Sequence, residues 1–464
     1  MITLKQIYTA LFFLGLFFIP FNDFEGLSFL GEYKDESATY FFLIGFFILI
    51  IESVLRGKIS IPYRNSLSIV LICFIVWTVV SSLLNIETIL SNYYKQTSGL
   101  SRYIRQTISL LISAVIFTIL FWNVIKNYSF DRIFRLIRKT FLFSLIFVAV
   151  YGFIEIGIVH FGMGFLRPLY EAFEIFPFVN TNFEHGKRIS SVAYEVPSLG
   201  NYLITIIPWM FSYILTEKNA FRFIPSFVVL ILMYFSDSRT ALICIMIQMV
   251  VFILILLHDE RFRKTTSTFL KLGSLGLVLL LLIKSDTIIQ TINERADRIN
   301  FSKNLTENVS NKSRFGMQYA SLQVFKENPI VGVGLGQDTY HKIFHYPYWA
   351  THNNWEFPVK YENPKVLSFP SAYNLYTRLL SELGIIGFLI LLTFIFLCVY
   401  YSVLVWKFAR NKEKYVGVIL IISFIGLFIN WMQTDFFRQY GIWLCLMLLI
   451  KVRLDWESYK LNAD

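Results

Sequence analysis

The chain has 464 residues; 56% are hydrophobic, only 16% are charged, 48 are Phe, and the mean hydropathy is +0.58. A soluble domain carries roughly 25% charged residues and has too little interior to hide this much apolar surface, which excludes a soluble enzyme, a disordered chain, collagen and a disulfide scaffold. The net charge of +11 falls largely in short basic clusters between apolar runs, the pattern of cytoplasmic loops in a membrane protein rather than of a nucleic-acid surface.

A helix needs about 20 apolar residues to cross a bilayer. Twelve segments qualify, at 5–21, 39–55, 66–84, 104–125, 139–159, 198–216, 221–236, 239–257, 267–284, 375–405, 415–433 and 436–453. The first has no small-residue cleavage site and reads as a span rather than a signal peptide. Pro208 and Pro225 are candidates for kinks. The expected architecture is an all-α polytopic membrane protein with a large, partly helical external loop. Residues 1–284 hold spans one to nine, 285–371 the periplasmic loop, and 372–464 the last three spans and a cytoplasmic tail.

Charge orients the bundle. Alternate short loops carry Arg56/Lys58/Arg64, Arg132/Arg135/Arg138/Lys139, Lys218/Arg222, Arg261/Arg263/Lys264 and Lys407/Arg410/Lys412/Lys414. They are therefore cytoplasmic, as are both termini. The opposite loop at 22–38 has five acids and one lysine. The longest external segments are 160–197 and 285–371. Within the second, 313–327 reads as an amphipathic helix with Phe315, Tyr319, Leu322 and Phe325 on one face, closed by Asn328-Pro329.

The four cysteines, Cys73, Cys244, Cys398 and Cys445, each lie inside an apolar run and read as small buried residues. Ser238-Arg239-Thr240 stands at an external turn between two spans. Serine there is a natural helix cap, but an arginine in a first helical turn opposes the helix dipole. A bound anion would restore the balance. Arg188 and Glu195 lie at the entrance to the sixth span. Glu195 reads either as a general base, if burial tunes it, or as the ion-pair partner of Arg188; Ser198 reads as the cap of that span. Arg314 begins the expected loop helix, either solvated or facing an anion. Gly332, Gly334 and Gly336 have the wrong spacing for a dinucleotide fingerprint and read as a tight turn. His341, His345 and His352 lack the carboxylate or thiolate company of a metal site, so no metal or cofactor is expected. Arg378 and Glu382 are spaced to pair along one helix. Tyr373 and Asn374 stand at the rim of the tenth span, as belt residues or as site lining.

The order of these motifs resembles the O-antigen ligase/polymerase family of bacterial envelope polysaccharide assembly. S-R-T at an external turn precedes a long loop with R-F-G-x-x-x-A and E-N-P-I-x-G-V-G-L-G. Y-N-L-Y-x-R-L-L-S-E-L-G-I-I-G then enters a span. The likeness is strongest over about 235–390. It implies a metal-independent, inverting glycosyltransferase. Its donor would be an undecaprenyl-diphosphate-linked oligosaccharide, used at the periplasmic face of the inner membrane. A flippase and a chain-length regulator are implied as partners, besides the lipid bilayer. The family's functional arginines match Arg239 and Arg314. Glu195 is then the expected base, with Arg188, Ser238, Tyr373 and Asn374 against substrate. The ligase branch has a histidine where this chain has Tyr373, which favours a polymerase over a ligase acting on lipid A-core or protein. His352-Asn353 does not precede the helix and does not replace it. A lipid-linked oligosaccharide flippase is the reading from another class, but no inverted repeat of the kind transporters show is evident.

Overall fold

The computed structural model describes residues 3–181, 186–264, 266–268, 271, 308–409 and 413–461. It is an all-α membrane protein: among the described residues eight helices are long and apolar enough to cross a bilayer, and two shorter helices are also apolar. In chain order the helices are α1 (Leu4–Phe17), α2 (Ser37–Arg56), α3 (Ser66–Leu84), α4 (Ile86–Ser91) and α5 (Gly99–Leu111). A widened turn over Ile112–Phe117 joins α5 to α6 (Thr118–Ile125) as one span. There follow α7 (Phe130–Phe161), α8 (Arg167–Ala172), α9 (Val196–Thr216), α10 (Ile224–Ser236) and α11 (Arg239–His258). Beyond 308 come α12 (Val309–Glu327), α13 (Asp338–Lys342), α14 (Tyr348–Thr351), α15 (Leu375–Phe408), α16 (Glu413–Asn430) and α17 (Tyr440–Leu461). Eleven of the twelve expected segments fall on these helices. The twelfth, 267–284, lies outside the described residues apart from 267, 268 and 271.

The centre of the bundle is α9, α6, α16 and α17, whose apolar side chains are almost all buried. Helices α2, α3, α11 and α15 leave apolar side chains such as Phe47, Ile72, Leu254 and Phe396 exposed, the lipid-facing surface of a membrane protein. Pro225 lies in the first turn of α10 and starts that helix instead of kinking it. Pro208 sits inside α9.

Two expectations about the loop helix change. It begins four residues earlier than predicted, at Val309, so Arg314 stands in its second turn and not at its start. Its buried face is Ser313, Gly316, Met317, Ala320, Ser321 and Val324, not the predicted aromatic stripe, and Tyr319 is exposed. The reason is close packing. A Cβ on Gly316 would lie 2.4 Å from that of Ala350, so this face must be small.

The helix α15 is broken at Gly384, whose backbone leaves the helical region with φ +63°. The glycine-rich segment 329–336 fills the break. Val333 and Gly334 donate their N–H groups to the carbonyls of Ser381 (3.0 Å) and Glu382 (2.8 Å), and Ile385 donates back to Pro329 (2.8 Å). From α3, Trp77 Nε1 donates to the Leu383 carbonyl at 2.9 Å, and Ser81 Oγ to those of Val331 (2.8 Å) and Glu382 (3.2 Å). The glycines are needed here for contact as well as for conformation. Gly332 has φ +76°, and a Cβ on it would meet the Glu382 carbonyl carbon at 2.4 Å.

Gly332→Ala is therefore expected to lower the thermal unfolding midpoint of the detergent-solubilised protein well below that of Gly57→Ala. Gly57 shares a left-handed φ but meets no atom within 4 Å, so Gly57→Ala isolates the conformational cost, about 1 kcal/mol. Equal midpoints would mean that the 329–336 contact is loose.

Candidate functional site

The loops that the charge pattern assigns to one side, at 22–38, 186–195, 237–240, 308–373 and 431–439, meet at one end of the bundle around a cavity of about 760 Å³. Its wall brings together Arg188, Glu195, Ser238, Arg239, Arg314 and Tyr373 from three of these segments. Of the seven residues expected to act on or bind the substrate, Asn374 alone stands behind that wall. It is the buried N-cap of α15, accepting from the N–H groups of Tyr376 (2.9 Å) and Thr377 (3.3 Å).

The turn between α10 and α11 is built by capping. Asp237 takes the left-handed conformation, φ +51°, and Ser238 caps α11 by accepting from Ala241 N–H at 3.4 Å. Arg239 is then the first residue of α11 and is exposed to the cavity. Arg188 reaches across to the same turn, donating to the carbonyls of Ser236 and Asp237, both at 3.4 Å. A cation at the carbonyl end of α10 is favourable in itself, so part of Arg188's role is structural.

The segment carrying Arg188 is held by Glu155, a buried carboxylate of α7. It accepts the N–H groups of Ser190 (3.2 Å) and Ser191 (2.8 Å). Ser191 has φ +53° and donates its hydroxyl to the Val148 carbonyl at 2.7 Å. From α12, Arg314 places its guanidinium carbon 5.3 Å from the centre of the Tyr373 ring, a cation–π contact. The Tyr373 and Tyr361 hydroxyls are 2.9 Å apart, and Tyr361 donates to Glu356 at 3.1 Å.

The electrostatics follow from this convergence. Burial draws the Arg188 guanidinium below its ordinary pKa, Asp237 pushes it back up, and Arg239 and Arg314 lower it again. Arg188 thus feels both Arg239 and Arg314 across one cavity. Among the described residues neither Arg239 nor Arg314 has a carboxylate within ion-pairing distance. An anion between them would relieve the repulsion and accept their donors.

Glu195 is the N-cap residue of α9, without a side-chain cap bond, and it is exposed. The burial that the general-base reading required is absent. Ser198 lies inside the first turn and is not the cap. The three histidines do not converge: His345 faces Glu327 at 3.2 Å with half-buried His341 of α13 within electrostatic reach of both, but His352 stands apart, stacked on Tyr348.

Sequence reasoning missed Glu36, Lys360, Asp435, Arg438 and Tyr440, all in the cavity wall. The apolar runs at 415–433 and 436–453 left only two residues between them. The helices in fact end at Asn430 and resume at Tyr440, so 431–439 dips into the site. The polar string Asp435-Phe436-Phe437-Arg438-Gln439-Tyr440 was the signal available.

Beneath the cavity lies a buried charge network. Arg378 pairs with Glu382 at 3.0 Å, as its spacing predicted, and donates to Gln106 Oε1 (2.7 Å) and the Asp435 carbonyl (2.6 Å). Glu32 pairs with Arg102 at 3.0 Å and accepts from Gln106. Burial would raise the Glu32 carboxyl, but Arg102, Arg438 and Arg378 outweigh it and hold it at about 2.

Two outcomes follow. Removing one member of a buried pair strands the other, at a cost of about 3–5 kcal/mol. Arg378→Met is therefore expected to abolish the folded gel-filtration peak, and adding Glu382→Gln to restore it in part. The Glu32 pKa lies below its ordinary 4.5, so its stabilising contribution is complete above that pH and is lost as pH falls toward about 2. Thermal melts across that window are expected to show a loss that Glu32→Gln flattens.

Residues 224–392 match the protein family described as O-antigen ligase. No curated protein matches the chain.

Proposed function

We propose, from the match of residues 224–392 to the family described as O-antigen ligase, that this chain is an envelope-polysaccharide polymerase of a bacterial inner membrane. It transfers an undecaprenyl-diphosphate-linked glycan onto a lipid-linked repeat unit at the periplasmic face, with both termini cytoplasmic. The observation that carries this reading is the convergence of Arg188, Arg239 and Arg314 on one cavity.

The chemistry suits those residues. The anomeric carbon of the donor carries a diphosphate leaving group. Arg239 and Arg314 bind that group and stabilise the charge growing on it as the bond breaks. The start of α11 adds the first backbone N–H groups of that helix, those of Arg239 and Thr240, for the same anion. The cavity also presents carboxylates, hydroxyls and amides, which suit an acceptor sugar. Attack by its hydroxyl from the face opposite the diphosphate inverts the anomeric centre. A flippase supplying the repeat unit and a chain-length regulator are the partners this reaction needs.

Tyr373 supports the polymerase over the ligase. It occupies the position of the ligase branch's histidine, with its hydroxyl against that of Tyr361. The ligase remains the second reading, favoured by the description of the matched family itself.

The test is a gel of surface polysaccharide from a deletion strain, beside its lipid-linked pool. Loss of the ladder with one repeat unit on its acceptor is the expected result. Bare acceptor with long polymer on the lipid carrier would mean ligase. An unchanged ladder and pool would overturn both. In the complemented strain, Arg239→Ala or Arg314→Ala is expected to cut transfer by about 10²–10³-fold at normal protein level, with Lys recovering part of the loss. Unchanged chain length in both Ala variants would remove the arginine clamp.

A further inference from the structure

Transfer to a sugar hydroxyl releases a proton, and the cavity must hold it. Five carboxylates face the cavity: Glu36, Glu195, Asp237, Glu356 and Asp435. Asp435 is engaged, accepting from Ser371 Oγ (2.8 Å) and Ala372 N–H (2.6 Å). Glu356 accepts from Tyr361, whose hydroxyl also meets that of Tyr373 beside Arg314, so it belongs to the arginine side of the cavity. Asp237 and Glu195 are exposed and stand outside the sheltered part of the wall.

Glu36 differs. It is the residue before α2, yet its side chain does not cap that helix. It is half-buried in the cavity wall. Its Oε2 lies 3.5 Å from the Tyr440 hydroxyl, which in turn lies 2.7 Å from Thr39 Oγ1. The charged and titratable groups facing it are Arg438, Asp35, Tyr440 and Tyr33. Arg438 is occupied elsewhere as well, donating to the Glu32 carbonyl. Burial raises the Glu36 carboxyl most, Arg438 opposes it, Asp35 adds to the rise and the Tyr440 hydrogen bond lowers it. The sum lies above the ordinary carboxylate range, the direction a base working near neutral pH requires.

We propose that Glu36 is the catalytic base that takes the proton from the acceptor hydroxyl. This rests on the transferase reading above. As the acceptor oxygen forms its bond to the anomeric carbon, the bond from that carbon to the diphosphate oxygen breaks. The electron pair leaves on the diphosphate among the arginines, and the hydroxyl proton passes to a Glu36 carboxylate oxygen. Tyr440, supported by Thr39, orients the carboxylate.

The experiment uses the full-length protein in detergent, with the lipid-diphosphate repeat unit extracted from the deletion strain as both donor and acceptor. Glu36→Gln keeps the size and the hydrogen bond from Tyr440 but removes the base. It is expected to lower kcat by about 10²–10⁴-fold with KM little changed. In the wild type, kcat/KM is expected to fall as pH drops through a pKa above the ordinary carboxylate range, because the base must be unprotonated. In Glu36→Gln that acid limb is expected to vanish. A Glu36→Gln enzyme with wild-type kcat and an intact acid limb would overturn the proposal. So would loss of the limb in Glu195→Gln instead. Should Glu36→Gln not accumulate, Glu36→Asp sets the carboxylate back by one methylene. It is expected to lower kcat while keeping the acid limb, and an unchanged kcat would overturn the assignment. Arg239→Ala and Arg314→Ala separate the two levels. If they abolish donor consumption and Glu36→Gln does not, the base assignment alone fails. If none of the three affects it, the transferase reading fails.

Discussion

At Gly384 the longest helix of the bundle loses its regular hydrogen bonds inside a protein core, where no water replaces them. The carbonyls of Ser381, Glu382 and Leu383 are then free, and each must find a donor. They find them in the glycine-rich segment after α12 and in Trp77 and Ser81 of α3. That repair fixes much else. It pins the end of α12, and so the register at which Arg314 reaches the cavity. It also turns the first part of α15, with Arg378 and Glu382, into a short separate helix beneath the site. The small face of α12 then packs against α14.

Charge is stored below the cavity in pairs, while within it Arg239 and Arg314 have no carboxylate at ion-pairing distance among the described residues. Arg378 with Glu382, Glu32 with Arg102, and Asp338 with Lys342 at 2.9 Å are matched ions with further hydrogen bonds. Asp338 also accepts from Ser321 (3.0 Å) and Ser381 (2.6 Å), so it joins α12, α13 and α15 at one carboxylate. Buried pairs of this kind add little net stability against apolar replacements, but they penalise any rearrangement that separates them. A frame of matched ions suits a site whose arginines are held close against their mutual repulsion. The cost of that repulsion is met by the frame until an anion arrives.

The apolar segments were legible because a bilayer imposes length and composition on a helix whatever its neighbours are. The Ser238 cap and the Arg378–Glu382 pair were legible because both depend only on local spacing. The buried face of α12 was not. Hydrophobic periodicity marks the greasy side of a helix, whereas a backbone-close contact at Ala350 demands the small side. Segment 431–439 was missed because an apolar run does not reveal where a helix gives way to a loop dipping into the protein. Glu36 was missed for a related reason. It sat among five acids of a loop read only for its sign, and nothing in the sequence marks the one that Tyr440, 404 residues away, would face.

Tyr373 connects the two proposals. On the transferase reading, a histidine at this position has a ring nitrogen able to accept a proton near neutral pH. A phenol does not, since its neutral hydroxyl is a weak acid of pKa about 10. Here that hydroxyl is also committed to Tyr361, and the ring lies against the Arg314 guanidinium. Tyr373 can therefore position an arginine and a sugar but cannot take the proton. With the rim residue unable to act as base, the proton must go to a carboxylate of the cavity. Two of them are half-buried and held by a hydroxyl; Glu356 is tied through Tyr361 and Tyr373 to the arginine side of the cavity, which leaves Glu36, held by Tyr440, as the base proposed.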